Sequence, residues 1–108
     1  MISRTSALLL LLSLSQCKLR HYDWSVVRNI QIIADRSLIV QTVNGDAHPA
    51  PLHVENGDVL SINVTNNLPD MGVSFHWHGF EMRGDQIYDG VVGVTQCAIA
   101  PGESFLYM

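Results

Sequence analysis

Short β-prone runs separated by turn residues predict an all-β fold for this chain. The run over 59–65 alternates apolar and polar residues, as a half-buried antiparallel strand does. Further β-prone runs cover 21–27, 29–34 and 38–43, and a turn is expected at Asn44-Gly45. No helical period persists after the N-terminal apolar run. With 108 residues, we expect a single small domain, built as a β-sandwich or barrel.

The N-terminus has the pattern of a secretory signal peptide. Arg4 precedes an apolar run over 7–14, and small residues follow up to Cys17, where cleavage is expected. The run is far shorter than the ~20 residues that span a bilayer, so no membrane anchor is expected. The pattern predicts a signal peptide over 1–17 and a secreted, extracellular chain over 18–108. A buried N-terminal helix is the alternative.

Charge and cysteine content narrow the possible partners. The formal net charge is −4, which gives no basic surface for a nucleic acid. Cys17 and Cys97 are the only cysteines. If Cys17 leaves with the signal peptide, Cys97 either pairs with a cysteine outside this chain or is a free thiol. Asn63-Val64-Thr65 is an N-glycosylation sequon, which makes Asn63 a candidate glycosylation site on a secretory route.

Two histidines lie one residue apart in the apolar run over 73–80. In a strand, His76 and His78 would point to one face, roughly 6.5–7 Å apart, and Trp77 to the other. Imidazole is the commonest transition-metal ligand and suits copper and zinc. The spacing favours one ligand for each of two neighbouring metals over chelation of one ion. A surface pair, or a core pair held by hydrogen bonds, is the alternative.

Several motifs after the histidines occur in the order and spacing of a known family. They are His-Trp-His-Gly at 76–79, Asp89-Gly90, Thr-Gln-Cys-Ala-Ile at 95–99, and Pro-Gly-Glu-Ser-Phe-Leu-Tyr at 101–107. Together they resemble the first copper signature of multicopper oxidases, the laccase, ascorbate oxidase and fungal ferroxidase-like enzymes. The segments at 42–45 and 55–58 are similar to that family's upstream motifs, so the resemblance covers about 22–107.

The resemblance implies a fold and a set of site residues. The fold is a cupredoxin-like (plastocyanin-like) Greek-key β-sandwich, here incomplete at the C-terminus. By position, His76 resembles a ligand of the type 2 copper and His78 a ligand of a type 3 copper, within the trinuclear cluster where the family reduces dioxygen. Cys97 resembles a cysteine that forms a disulfide with a later domain. Asp89 resembles an acidic residue that assists proton delivery, although Asp89-Gly90 is equally interpretable as a turn.

The chain also departs from the family pattern. A second His-x-His and a His-Cys-His segment, which complete the copper sites of the family, do not occur before Met108. The chain is therefore expected to be a truncated N-terminal domain over 18–108, inactive alone and dependent on the missing cupredoxin domains.

The expected parent protein is an oxidase. It would couple one-electron oxidation of a phenolic, ascorbate-like or ferrous donor to the reduction of dioxygen to water. The first alternative is a stand-alone, non-enzymatic secreted copper-binding module. The second is an extracellular β-sandwich whose histidines are structural.

Overall fold

Four strands form a single mixed sheet in the computed structural model of the protein, which describes residues 17–108. They are β1 (Leu19–Ile33), β2 (Arg36–Val43), β3 (Val59–Asn66) and β4 (Ser104–Tyr107). Their order is β2-β1-β3-β4, with β1 and β3 parallel and the outer pairs antiparallel. The only helical element in this part of the chain is a 3₁₀ turn at Gln86–Tyr88. The predicted all-β architecture is confirmed.

The structure does not test the predicted signal peptide. All of the predicted signal peptide except Cys17 lies outside the described residues. Within residues 17–108, no helix is long and apolar enough to cross a membrane.

One face of the sheet carries the core. The predicted apolar face of β3 is confirmed, because Ile62 and Val64 are fully buried and Leu60 packs against them. The prediction of a half-buried antiparallel strand is wrong in two respects, since Ser61 on the polar face is also buried and β3 pairs parallel with β1. The register places Trp24 of β1 beside Val64, and Tyr107 of β4 beside Ile62. Apolar side chains from three strands therefore meet on one side, where burial of apolar surface stabilises the fold.

The first strand is longer than the sequence predicts. The runs over 21–27 and 29–34 form one continuous strand of 15 residues, because Arg28 pairs with Gln41 of β2 and does not interrupt the ladder. The hairpin then turns at Ala34 and Asp35, with φ of +48° and +60°. Two left-handed residues are the geometry of a type I′ turn. The predicted Asn44-Gly45 turn is confirmed, with both φ angles positive.

A segment over 67–103 covers the core face without forming a regular second sheet. In this covering segment, strand-like pairing is limited to two isolated bridges, Val73 with Ile99 and Val92 with Gln96. Asn66, fully buried at the end of β3, fastens the segment: its Nδ2 donates to the carbonyls of Met71 and Ile99, at 2.8 and 2.9 Å.

Asp58 ties the start of the sheet to the turn that precedes β3. Its carboxylate accepts from Arg20 Nε at 2.8 Å, Lys18 N at 3.1 Å and Glu55 N at 3.2 Å. The hydrogen bond from Arg20, then that from the Glu55 backbone, holds the pKa of Asp58 below its usual value against the opposing effect of burial. The ionised carboxylate is therefore the form that the folded state favours.

Asp58→Asn should flatten the acid dependence of stability. Because the folded pKa lies below the unfolded value of about 3.9, the stabilisation by the carboxylate is present above that pH and is lost as the pH falls through the folded pKa. Urea unfolding from pH 6 to pH 2 should show a smaller loss of unfolding free energy for the variant than for the wild type. Arg20→Gln, which removes the first cause of the shift, should flatten the profile in part. Identical slopes in all three proteins would contradict this account.

Candidate metal centre

The histidine segment is extended but is not a strand of the sheet. The predicted strand over 73–80 is wrong, because only Val73 pairs, through two backbone hydrogen bonds with Ile99 of 3.1 and 2.8 Å. No described strand lies beside the rest of the segment. The alternation of sides survives nonetheless, since His76 and His78 are exposed and Trp77 between them is half-buried.

Aromatic packing replaces strand pairing in holding the segment. The Trp77 ring lies 6.1 Å from the ring of Trp24 and 5.5 Å from that of Tyr107, centroid to centroid. Phe75 packs on Trp24 at 5.1 Å, and its backbone N–H donates to the Tyr107 hydroxyl at 3.0 Å. The segment is therefore anchored to the sheet on both sides of His76.

The two imidazoles leave the anchored segment on its open side. Their ring centroids are 5.9 Å apart and their planes are perpendicular. This distance is slightly below the spacing expected for alternate residues of a strand. The predicted juxtaposition of His76 and His78 is thus present, and each ring can present a nitrogen to its own ion.

Asp89 orients the His76 ring. His76 Nδ1 lies 2.8 Å from the Asp89 carbonyl oxygen and 3.1 Å from its carboxylate Oδ1. Because both oxygens accept hydrogen bonds, the proton of the neutral ring belongs on Nδ1, and Nε2 keeps its lone pair. A metal-binding histidine commonly donates its second nitrogen to a carboxylate or carbonyl in this way. The sequence motif did not reveal this contact, which needs the folded chain.

Gly90 allows Asp89 to come this close. Gly90 is buried with φ of +77°, and a Cβ there would overlap the Phe75 carbonyl oxygen and lie 2.9 Å from His76 N. The backbone at Gly90 therefore crosses directly over the histidine segment, which only glycine permits. Asp89-Gly90 is more than a solvent-exposed turn.

The donor set fits a transition metal but does not complete its coordination. Among residues 17–108, no three His, Cys, Asp or Glu side chains come together as a metal site. Two neutral imidazoles suit copper or zinc, which need at least three or four ligands. A metal ion held by this pair would therefore need further ligands besides these two imidazoles.

Within residues 17–108, the remaining predicted residues make no hydrogen bond to the histidines. Cys97 is exposed and, like Cys17, forms no disulfide within the described part of the chain. Asn63 is half-buried on the face of β3 opposite the core, and its Nδ2 donates to Asp23 Oδ1 at 3.1 Å. An N-linked glycan leaves one N–H on Nδ2, so this hydrogen bond is compatible with the predicted modification.

Residues 26–108 match a protein-family model described as multicopper oxidase. The chain belongs to the multicopper oxidase family. An L-ascorbate oxidase from Brassica rapa subsp. pekinensis is 36% identical over 101 residues, covering 94% of this chain and 18% of the relative. Laccase-2 from Botryotinia fuckeliana is 45% identical over 85 residues, covering 78% of this chain and 15% of the relative. The chain therefore spans less than a fifth of the length of these curated relatives.

Solved structures agree with the family assignment. The crystal structure of Fet3p, a multicopper oxidase that functions in iron import, matches with a TM-score of 0.78 and 32% identity, over 82% of this chain and 17% of that one. The laccase from Botrytis aclada matches with a TM-score of 0.76 and 40% identity, over 84% and 17%. The predicted cupredoxin-like fold and multicopper oxidase resemblance are confirmed. Membership of this family implies copper as the metal.

Gly90→Ala should destabilise the domain far more than the same change at Gly93. Both residues have positive φ, but a Cβ at Gly93 would meet nothing within 4 Å. Left-handed strain alone costs Gly93→Ala about 1–2 kcal/mol. Gly90→Ala adds the displacement of two crossing backbones, for a total of about 2–5 kcal/mol. Urea unfolding of the two variants measures the difference, and equal losses would show that the crossing is not tight.

Proposed function

We propose that this chain is the N-terminal copper-binding domain, over 18–108, of a secreted multicopper oxidase. The whole protein would couple one-electron oxidation of a phenolic, ascorbate-like or ferrous donor to the reduction of dioxygen to water. The observation that carries the proposal is the pair of same-side imidazoles 5.9 Å apart, in a chain whose family uses copper.

His76 and His78 are proposed to bind different copper ions of one trinuclear cluster. His76 would give Nε2 to the type 2 copper, since its Nδ1 is engaged with Asp89, and His78 would bind a type 3 copper. Bound copper ions would supply one-electron redox chemistry and a site for dioxygen. The remaining ligands would come from other parts of a longer polypeptide, because the described residues do not provide them.

Asp89 is proposed to serve the site in two ways. Its carbonyl and carboxylate hold the His76 ring in one tautomer and orientation. Its side chain remains about one-quarter accessible, at 24%, so it can also exchange protons with solvent beside the cluster. Proton delivery is required because reduction of dioxygen to water consumes protons.

Three further features fit a secreted protein with additional domains. Exposed Cys97 is proposed to form a disulfide with a cysteine of a later domain, and Asn63 to carry a glycan. The N-terminal apolar run is proposed to act as the signal peptide, with cleavage after Cys17.

Removal of either histidine should abolish oxidase activity of the full-length, copper-loaded protein. His76→Ala and His78→Ala should each lower dioxygen consumption with a phenol, ascorbate or ferrous iron by at least about 100-fold, and Asp89→Asn by about 10–100-fold. An oxygen electrode and metal analysis measure activity and copper content. His53→Ala, at an exposed position, is the matched control and should keep both. The 108-residue chain alone should consume no dioxygen.

Two outcomes would reject the proposal. Wild-type copper content and activity in both histidine variants would leave the pair with a structural role. Copper binding that depends on the histidines, without dioxygen consumption by the full-length protein with any of the three donors, would support a non-enzymatic copper-binding function.

A further inference from the structure

The outer part of the β1–β2 hairpin extends beyond the rest of the sheet. Pairing of β1 with β3 ends at Val26, whereas its pairing with β2 continues to Ile33. We call residues 28–41 the hairpin arm. Its base is fixed, because Arg28 donates twice to Asp70, at 3.1 and 2.6 Å. The arm itself is a two-stranded ribbon, a structure that is marginally stable without packing on one face.

The core face of the sheet continues along this arm. Side chains alternate, so Ile30 and Ile32 lie on the same face of β1 as buried Val26. Ile39 lies opposite Ile30 in the register and shares that face. Ile30, Ile32 and Ile39 are 73%, 78% and 71% exposed, whereas Val26 is 4% exposed. No described residue covers this isoleucine face.

The uncovered part of this face is small, because it consists of three isoleucines beyond the Arg28–Asp70 ion pair, and its size limits what can cover it. A stable dimer buries about 1,200–2,000 Å², far more than three isoleucines on a narrow ribbon present. A contact within one polypeptide needs less area, because the covalent connection raises the effective concentration of the partner surface. Domain interfaces within a chain start at about 600 Å². The size of the face therefore fits an intrachain contact.

The relatives indicate where such a partner lies. Aligned segments of 101 and 85 residues make up only 18% and 15% of the ascorbate oxidase and the laccase. Most of a polypeptide of this family therefore lies outside the described domain. We propose that the isoleucine face of the hairpin arm docks against a later domain of the same polypeptide. This inference rests on the proposed function only in requiring a longer chain, and it involves none of the metal-centre residues.

Cysteine labelling in the full-length protein tests the docking. Ile39→Cys places a thiol on the isoleucine face, and Leu38→Cys places one on the opposite face of the same strand. In the domain alone Ile39 is the more exposed, at 71% against 42% for Leu38. Docking inverts this order, so a maleimide should label Ile39→Cys at least about tenfold more slowly than Leu38→Cys. Peptide mapping by mass spectrometry separates these sites from Cys17 and Cys97.

Faster labelling at Ile39→Cys than at Leu38→Cys would overturn the proposal. So would protection that fades on dilution, since the cover would then be a second copy of the protein. Amide hydrogen exchange of the wild-type arm provides a measurement that no substitution can disturb, and fast exchange throughout 29–39 would also overturn the docking. These measurements do not depend on copper, so a protected arm in a protein without oxidase activity would reject the proposed function alone.

Discussion

The candidate metal centre depends on the close crossing of two backbone segments at Gly90. The crossing leaves no room for a Cβ against the Phe75 carbonyl, and it brings Asp89 onto the His76 ring. On the other side of the same segment, Trp77 packs on Trp24 and Tyr107. The histidine segment is thus held between the backbone at Gly90 on one side and a cluster of aromatic rings on the other. Such packing gives the imidazoles the rigidity that a metal site needs.

Side chains of the sheet hold the segment that carries the candidate site in place. Ile62 and Val64 of β3 are buried in the core against which these aromatic rings pack. Asn66, at the end of β3, donates hydrogen bonds to two carbonyls of the covering segment. A segment with only isolated bridges would otherwise have few backbone partners. The same face that supports the histidines continues onto the hairpin arm, where it lacks a cover in the described residues. The proposed copper coordination and the proposed docking of the arm both require protein outside residues 17–108.

Sequence patterns predicted what depends on local alternation. They located β3 and its apolar face, and they placed His76 and His78 on one side and Trp77 on the other. They failed where the local structure depends on contacts between residues that are distant in the sequence. The segment over 73–80 has strand-like residues but no strand beside it, and the Ala34-Asp35 turn lacks the usual glycine or asparagine. The functions of Gly90 and Asp89 in orienting His76 depend on a contact 13 residues away, which the motif alone does not show.

Anomalous diffraction at the copper edge, from crystals of the full-length copper-loaded protein, tests the central claim most directly. The account predicts separate copper peaks, one within bonding distance of His76 Nε2 and another at His78, with His76 Nδ1 still on Asp89. A single copper ion shared by both rings would contradict it. So would a His76 ring bound to copper through Nδ1, or copper sites that involve neither histidine.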